Sequence, residues 1–446
     1  MWFYFVASTL CIAVGAFLIQ GCIIPRFVAN TCTTLERPNK LTEKNSDPNY
    51  PNFSFTIKKT LGKARLGTIK TPHGDIQTPA FIFCATKAAM RSTTTKSVEE
   101  NRSQIILSNT YHLFLKGHED IKRMGGLHKA VGWRKPMLTD SGGYQIFAMN
   151  HQSVSSDIKG AKTQYYKPTL IEVTEKEATF RSYYTNQVVK LSPEKSMEVQ
   201  RNLGADIVLV LDECTSSGNS KEYTKTSMEM SHRWEKRSLD AFMEHNDHRQ
   251  ALYGIVQGGV YEDLREESCD FVNSQPFFGV AVGGCLGKTT EEMHHIVSYT
   301  MDRLKKDRPV HLLGIGYLKD IFNGVECGVD TFDCVHPTRI ARHGCALVKY
   351  SPDQTSKQNR TNSIDLNQTK YKDDDQPISI DCECTTCARG ITRSYLHLLM
   401  KSKENIYQTY VTDHNIFFMN KLMEDIRQGI EDNDLDSIKE KYVGEG

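Results

Sequence analysis

What this sequence most plainly lacks is an excess of charge of either sign: 55 basic residues against 54 acidic ones leave a formal net charge of +1. A global field that would gather nucleic acid or an anionic surface is thereby excluded, and any polyanionic partner has to be met by a local basic patch. A disulfide framework is missing as well. Thirteen cysteines are present, but ten of them, from Cys11 to Cys345, follow no pairing rhythm, as buried thiols of a reducing compartment do. Nor does a charged side chain occur in the first 25 residues, MWFYFVASTLCIAVGAFLIQGCIIP, a run long enough at ~1.5 Å per residue to cross a bilayer.

We read residues 1–33 as an apolar membrane anchor and 34–54 as a polar, proline-containing linker. Basic residues lie only on the C-terminal flank of the run (Arg26, Arg37, Lys40, Lys44), so the positive-inside rule leaves the body in the cytoplasm. The competing readings are a cleaved signal sequence, which ordinarily opens on a basic stretch missing here, and a start codon set too far upstream.

Beyond the linker the composition, 39% hydrophobic and 24% charged, is that of a globular chain. Across residues 55–350 a short apolar run repeatedly ends in a small, polar or glycine-rich tip: PAFIFCATK, QIILSNTYH, PMLTDSGGYQ, DIVLVLDECT, ALYGIVQGG, FFGVAVGGC, VHLLGIG and VDTFDCVHP. Helical stretches such as SPEKSMEVQRNLG and TEEMHHIVSYTMDRLKKD separate most of them. Eight strands alternating with helices predict a parallel sheet closed as a (β/α)8 TIM barrel, in which chemistry sits at the C-terminal ends of the strands. Asp140, Asp212, Gln257, Gly284 and Asp333 fall there. One such aspartate alone is ordinarily a cap or turn residue; a set of them in register on one rim reads as a site. The basic run Lys58, Lys59, Lys63 and Arg65 reads as a solvated strand or turn.

Residues 351–377 begin with SPDQTSKQNRTNSIDLNQT and read as a polar insertion loop, and residues 378–446 as an appended subdomain ending in helices. That subdomain opens on DCECTTC. Cys382, Cys384 and Cys387 place three thiolates within reach of one ion, and His414 can complete a structural Cys3His zinc site. His397, in SYLHLLMK, is the rival fourth ligand. A C-x-x-C redox pair is a further alternative, though it leaves Cys382 and His414 without a task.

Taken in order, MLTDSGGYQIF, LVLDECT, GIVQGG, AVGG, FDCVHPTRIARHG and the Cys3His group make the chain resemble the tRNA-guanine transglycosylases, which exchange an encoded guanine in tRNA for a 7-deazaguanine. The resemblance covers about residues 55 to 430, and LDECT is similar to the bacterial-type catalytic subunit. It implies a pentosyltransferase in which Asp333 is the nucleophile on ribose C1′ and Asp140 the general acid/base. It further implies guanine recognition by Asp212 and Asp140, with Gln257 and the Gly284 N–H on the carbonyl oxygen. Tyr144 stacks on the base, and Leu313 stands where the family commonly has methionine as the opposite wall. Arg339 and Arg342 match residues that grip the anticodon loop. The implied partners are a tRNA with a G-U-N anticodon and a paired subunit, as homodimer or as heterodimer with a paralogue.

One departure bears on the incoming base. Where bacterial members read GGLAVGE, this chain has AVGGCLGKTTEE, one residue shorter and with Lys288 near the usual glutamate. A shorter loop with Gly287 favours bulky queuine over its cationic precursor 7-aminomethyl-7-deazaguanine. A non-catalytic tRNA-binding paralogue is the other class of reading; both Asp140 and Asp333 are retained, which argues against it. The 32 residues after His414 are too few for the extra RNA-binding domains of the archaeal branch, so exchange at the wobble position is expected.

Overall fold

Each of the eight apolar runs becomes a short strand whose residues are almost all buried: β1 (Ala80–Cys84), β2 (Ile106–Ser108), β3 (Met137–Thr139), β4 (Ile207–Leu209), β5 (Ala251–Val256), β6 (Gly279–Val282), β7 (Val310–Leu312) and β8 (Thr331–Asp333). The structure, a computed structural model, describes residues 47–148, 169–351 and 362–444. All neighbouring strands pair in parallel, and β8 closes on β1 with Thr331 opposite Ala80 and Asp333 opposite Ile82. The sheet is therefore a closed (β/α)8 barrel, with the residues following each strand gathered on one rim.

The connecting helices begin where local chemistry starts them. Ser192 accepts the N–H of Lys195, proline occupies the first turn, and Gly204 ends the helix Pro193–Leu203 in the left-handed region. Thr289 likewise caps Thr290–Arg303 through the Glu292 N–H.

Two antiparallel sheets lie outside the strand pattern expected from sequence. One, Ser54–Leu61, Ala64–Thr71 and Gly74–Thr78, precedes the barrel; the other, Leu170–Val173, Ala178–Arg181 and Val188–Leu191, is inserted between β3 and β4. Their outer strands Ser54–Leu61, Leu170–Val173 and Val188–Leu191 are half-exposed, so they carry no continuous apolar run.

The polar-insertion reading needs correction past residue 361. Ser363–Asp365 pairs antiparallel with Cys345–Leu347, and Ile364, Leu366 and Tyr371 are buried. A few spaced apolar side chains suffice to dock a segment whose average composition is polar. Residues 352–361 of that insertion, the expected anchor (1–33) and most of the linker lie outside the described residues. Among the described residues no helix is long and apolar enough to cross a membrane.

At the opposite end of the barrel from the rim, Asp206 is buried just ahead of β4. It accepts the Met137 N–H at 2.8 Å, with His73 Nδ1 at 2.7 Å and His128 Nε2 at 3.2 Å, while the two imidazoles stack 3.6 Å apart. The hydrogen bond to Asp206 raises the His73 pKa above its ordinary value. Burial opposes ionisation of Asp206, yet His128 and His73 outweigh it and hold the carboxyl below its usual range. The raised histidine stabilises the fold below its unfolded value of about 6.5 and loses that contribution as pH rises through the folded value. The depressed aspartate contributes above about 3.9 and loses its share as pH falls through the folded value. His73→Ala should therefore cost more stability at pH 6 than at pH 8.5. Solvent screening of a ring that is 41% exposed keeps the difference below about 1 kcal/mol. Denaturant unfolding at the two pH values checks this, and equal losses would contradict it.

Candidate active site

Strand closure places three aspartates on the C-terminal rim. Asp140 directly follows β3. One of its oxygens accepts the Thr110 N–H at 2.8 Å and the other accepts the Asn109 side-chain amide. Both donors come from the turn after β2, where Asn109 also caps the helix Thr110–Leu115 by accepting the His112 N–H. Burial, with a smaller repulsion from Asp333, outweighs these hydrogen bonds and pushes the Asp140 carboxyl up to about 7.

Asp333 ends β8 with its side chain 13% exposed. Its Oδ1 accepts the Gly314 N–H at 3.0 Å and lies 3.3 Å from His311 Nε2, while the Cys84 thiol reaches Oδ2 at 3.6 Å. His311 is fully buried, with Nδ1 2.9 Å from Thr331 Oγ1.

Asp212 lies past β4 and is buried. Gln257, next after β5, donates to its Oδ2 at 2.6 Å, and the Ser141 hydroxyl donates to Oδ1 at 3.4 Å. Desolvation exceeds the help of these donors and moves the Asp212 pKa up to about 6. Gln257 Oε1 is buried with no hydrogen-bond partner among the described residues. Glycines make room here: a Cβ on Gly284, whose φ is +56°, would collide with Gln257 Oε1, and one on Gly143 would collide with the Asp212 carbonyl.

Tyr144 is half-buried on the helix Gly143–Ala148 that starts beside Asp212, and Leu313, half-buried after β7, lies against Gly283. Arg339 sits on the helix His336–Ala341 that follows Asp333, and Arg342 caps that helix. The Arg342 guanidinium donates to Thr338 O at 2.9 Å. Burial and the neighbouring charges of Arg91 and Arg339 depress its pKa. The mouth thus brings Asp140, Asp212, Gln257, Gly284, Leu313 and Asp333 onto one rim, with the two arginines one short helix away.

The cysteine cluster forms a second centre. Sγ of Cys382, Cys384 and Cys387 lie 3.6, 3.6 and 3.4 Å from His414 Nδ1, and all four candidate ligand atoms fall within 4.8 Å of one another. A tetrahedron with metal–sulfur bonds of about 2.3 Å and a metal–nitrogen bond of about 2.0–2.1 Å puts sulfur and nitrogen ~3.6 Å apart. The residues fit one metal ion. His414 Nε2 donates to Leu347 O at 2.8 Å, which leaves Nδ1 free to ligate. His397 is the wrong candidate: it is buried elsewhere, with Nδ1 2.9 Å from Leu366 O. Convergence of Cys382 and His414 on the C-x-x-C pair also disfavours a redox reading.

A family model described as queuine tRNA-ribosyltransferase matches residues 60–445. Among curated relatives, the queuine tRNA-ribosyltransferase of Roseiflexus sp. (strain RS-1) is 39% identical over 404 residues, 88% of this chain and 99% of that protein. The one from Francisella tularensis subsp. novicida (strain U112) is 41% identical over 393 residues, 88% of this chain and 98% of its own. The chain belongs to the queuine tRNA-ribosyltransferase family. It is accordingly a pentosyltransferase, and the match runs through the barrel and the cysteine cluster alike.

As a member of the queuine tRNA-ribosyltransferase family this chain holds its rim aspartates through residues that sequence reasoning did not single out, Asn109, Thr110, Ser141 and Cys84, with His311 beside Asp333. Asn109 and Thr110 sit in the polar tip of QIILSNTYH, where a polar pair directly after a buried strand is itself a signal. Nothing local marks His311, whose task arises only when β7 meets β8.

Metal analysis separates the two histidines. His414→Ala should drop bound metal from about one ion per chain toward none and lower the unfolding midpoint, because the ion is a cross-link of the appended subdomain. His397→Ala should keep the ion, and its loss there would reverse the ligand assignment.

Proposed function

We propose that this chain exchanges guanine at the wobble position of a G-U-N anticodon for a 7-deazaguanine base, through a covalent bond between Asp333 and the ribose. The observation that carries the reading is the placement of Asp140 and Asp333 at strand ends on one rim, near enough that Asp333 helps burial to raise the Asp140 pKa to about 7. An acid poised there both donates and accepts a proton at neutral pH.

In the first half-reaction a carboxylate oxygen of Asp333 bonds to C1′ as the C1′–N9 bond breaks, and the electron pair leaves with guanine, which Asp140 protonates. The second half runs in reverse with the new base. Asp140 takes its proton, its ring nitrogen bonds to C1′, and the ester to Asp333 breaks. Two inversions retain the anomeric configuration, as in retaining glycosidases. The Gly314 N–H holds the Asp333 carboxylate in place, with His311 Nε2 3.3 Å from it.

Recognition falls to the buried polar groups. Asp212 as a carboxylate accepts from guanine N1–H and the exocyclic amine, and Gln257 with the Gly284 N–H binds the carbonyl oxygen. Tyr144 and Leu313 cover the two faces of the base. Such a pocket admits only a nucleotide out of its stack, which an unpaired anticodon loop supplies. Arg339 and Arg342 contact the adjoining RNA. For the Cys3His centre we propose zinc, whose four protein ligands leave no position for substrate and make its contribution structural.

The incoming base in this proposal is queuine. Lys288 is exposed, and Glu292 accepts the Lys288 backbone N–H at 2.6 Å. With that carboxylate committed to the backbone, the loop offers little to a primary ammonium arm.

Asp333→Asn should abolish both exchange and any denaturation-resistant RNA adduct while tRNA still binds, since the side chain contributes a bond and not a docking contact. Gel shift under native and denaturing conditions reads both, and turnover above a few per cent of wild type would refute the nucleophile. For the base, kcat/KM is measured with queuine and with 7-aminomethyl-7-deazaguanine on one unmodified tRNA. A tenfold preference for the aminomethyl compound, about 1.4 kcal/mol in the transition state, would overturn queuine.

A further inference from the structure

Several cations elsewhere on the barrel stand beside acids: Lys63 pairs with Asp302, Arg233 with Glu175 and Arg237 with Glu194. Around the mouth a group does not. Lys87, Arg91, Lys116, Arg339 and Arg342 take part in no ion pair among the described residues, and Arg91 and Arg339 both depress the pKa of Arg342. In a chain of net charge +1, such a concentration of uncompensated charge on one rim costs stability unless an anion covers it.

Two exposed aromatic rings stand in its midst. The turn after the strand Ala178–Arg181 carries Tyr183 and Tyr184, 37% and 39% exposed, with ring centroids 4.2 Å apart. The turn is built to hold them: Ser182 N–H donates to Gln187 O, and the Tyr184 N–H donates to the Ser182 hydroxyl at 3.2 Å. Lys87 lies over both rings at 5.4 and 4.9 Å, and Lys116 lies over Tyr184 at 5.5 Å. Tyr183 is tied to the mouth as well, its hydroxyl 2.7 Å from His112 Nδ1. His112 belongs to the helix whose first N–H, that of Thr110, binds Asp140. Lys87 follows β1 by three residues, so this surface adjoins the rim directly.

We propose that the Tyr183–Tyr184 turn, with Lys87, Arg91 and Lys116, is a platform for single-stranded RNA that stacks an unpaired base beside the nucleotide held at Asp140 and Asp333 and neutralises its phosphates. Resting on the transglycosylase reading of the mouth, the platform assigns a stretch of the RNA substrate a place of its own. An aromatic pair flanked by cations suits nucleotides better than an acidic peptide, because every base offers a face to stack and a phosphate beside it.

The test measures affinity of the full chain for an anticodon stem-loop RNA over a salt series, with guanine exchange into tRNA assayed in parallel. Tyr183→Ala with Tyr184→Ala should raise Kd roughly tenfold, while the Phe pair should restore most of the affinity because stacking needs the ring and not the hydroxyl. Lys87→Ala with Lys116→Ala should instead flatten the slope of log Kd against log salt by about one to two, one for each phosphate no longer neutralised. Unchanged affinity in the Ala pair, or a Phe pair as weak as the Ala pair, would overturn the platform. So would unchanged RNA affinity accompanied by loss of binding to an acidic peptide or to a second copy of the chain. A wild-type chain that neither binds the RNA nor exchanges guanine would refute the transglycosylase reading, which the variants do not address.

Discussion

Burial of carboxyl groups at the barrel mouth is the constraint on which the rest of the site depends. A carboxylate taken out of water without partners costs several kcal/mol, and this rim carries Asp212 buried and Asp140 half-buried, with Asp333 beside them. Donors are accordingly drawn from four different strand ends: Asn109 and Thr110 after β2, Ser141 after β3, Gln257 after β5 and Gly314 after β7. Where Gln257 and the Asp212 backbone approach their neighbours most closely, only glycine fits, at Gly284 and Gly143. The barrel is what makes this convergence possible, since parallel closure is the arrangement that aims eight strand ends at one space.

The second organising element is the long helix Ile406–Asp432, which joins the cysteine cluster to the rim. Successive residues on a helix point about 100° apart, and three in a row take three tasks. Asp413 accepts from Ser97 at 2.6 Å, beside the start of the barrel; His414 faces the three thiols; Asn415 donates to Pro337 O at 2.9 Å and accepts the Leu347 N–H at 2.8 Å. Pro337 lies in the short helix that carries Arg339. A four-ligand cluster fit to hold one metal ion thus sits one residue away from the contact that fixes the arginine helix, and its place in the fold connects subdomain stability to the helix that carries Arg339.

Sequence alone made the barrel legible because a strand buried on both faces must be apolar throughout and must end where the chain turns, a pattern visible in each of the eight runs. The two antiparallel sheets escaped because a half-exposed strand such as Leu170–Val173 has no such run. Ser363–Asp365 escaped because two buried side chains, Ile364 and Leu366, are diluted by the polar residues around them. The rim aspartates could be picked out by their place after a strand, and the cysteines by their spacing. The partners that tune them could not: Ser141 meets Asp212 and His311 meets Asp333 only through the barrel's closure, across dozens of residues or between neighbouring strands. Spacing left His414 and His397 as rivals, and packing separates them, since the hydrogen bond to Leu366 O turns His397 into the body of the subdomain.

Two aspartates of one rim both carry raised pKa values, Asp212 to about 6 and Asp140, which also faces repulsion from Asp333, to about 7, and under the proposed exchange that difference divides the work. Asp212, near 6, is mostly ionised at neutral pH, as it must be to accept two N–H groups from guanine, and an adenine edge offers no such pair. Asp140, near 7, has its two protonation states almost equally populated. A reversible transfer needs that balance, because the group that protonates the leaving base has to deprotonate the entering one from the state the first step leaves behind. Were Asp140 as well solvated as a surface carboxylate, it would be a poor acid for the first half. Were Asp212 without its Gln257 and Ser141 donors, burial would neutralise more of it and guanine would lose its acceptor. Burial raises both carboxyls, and what stands beside each, Asp333 at the one and Gln257 at the other, lets like residues perform unlike tasks.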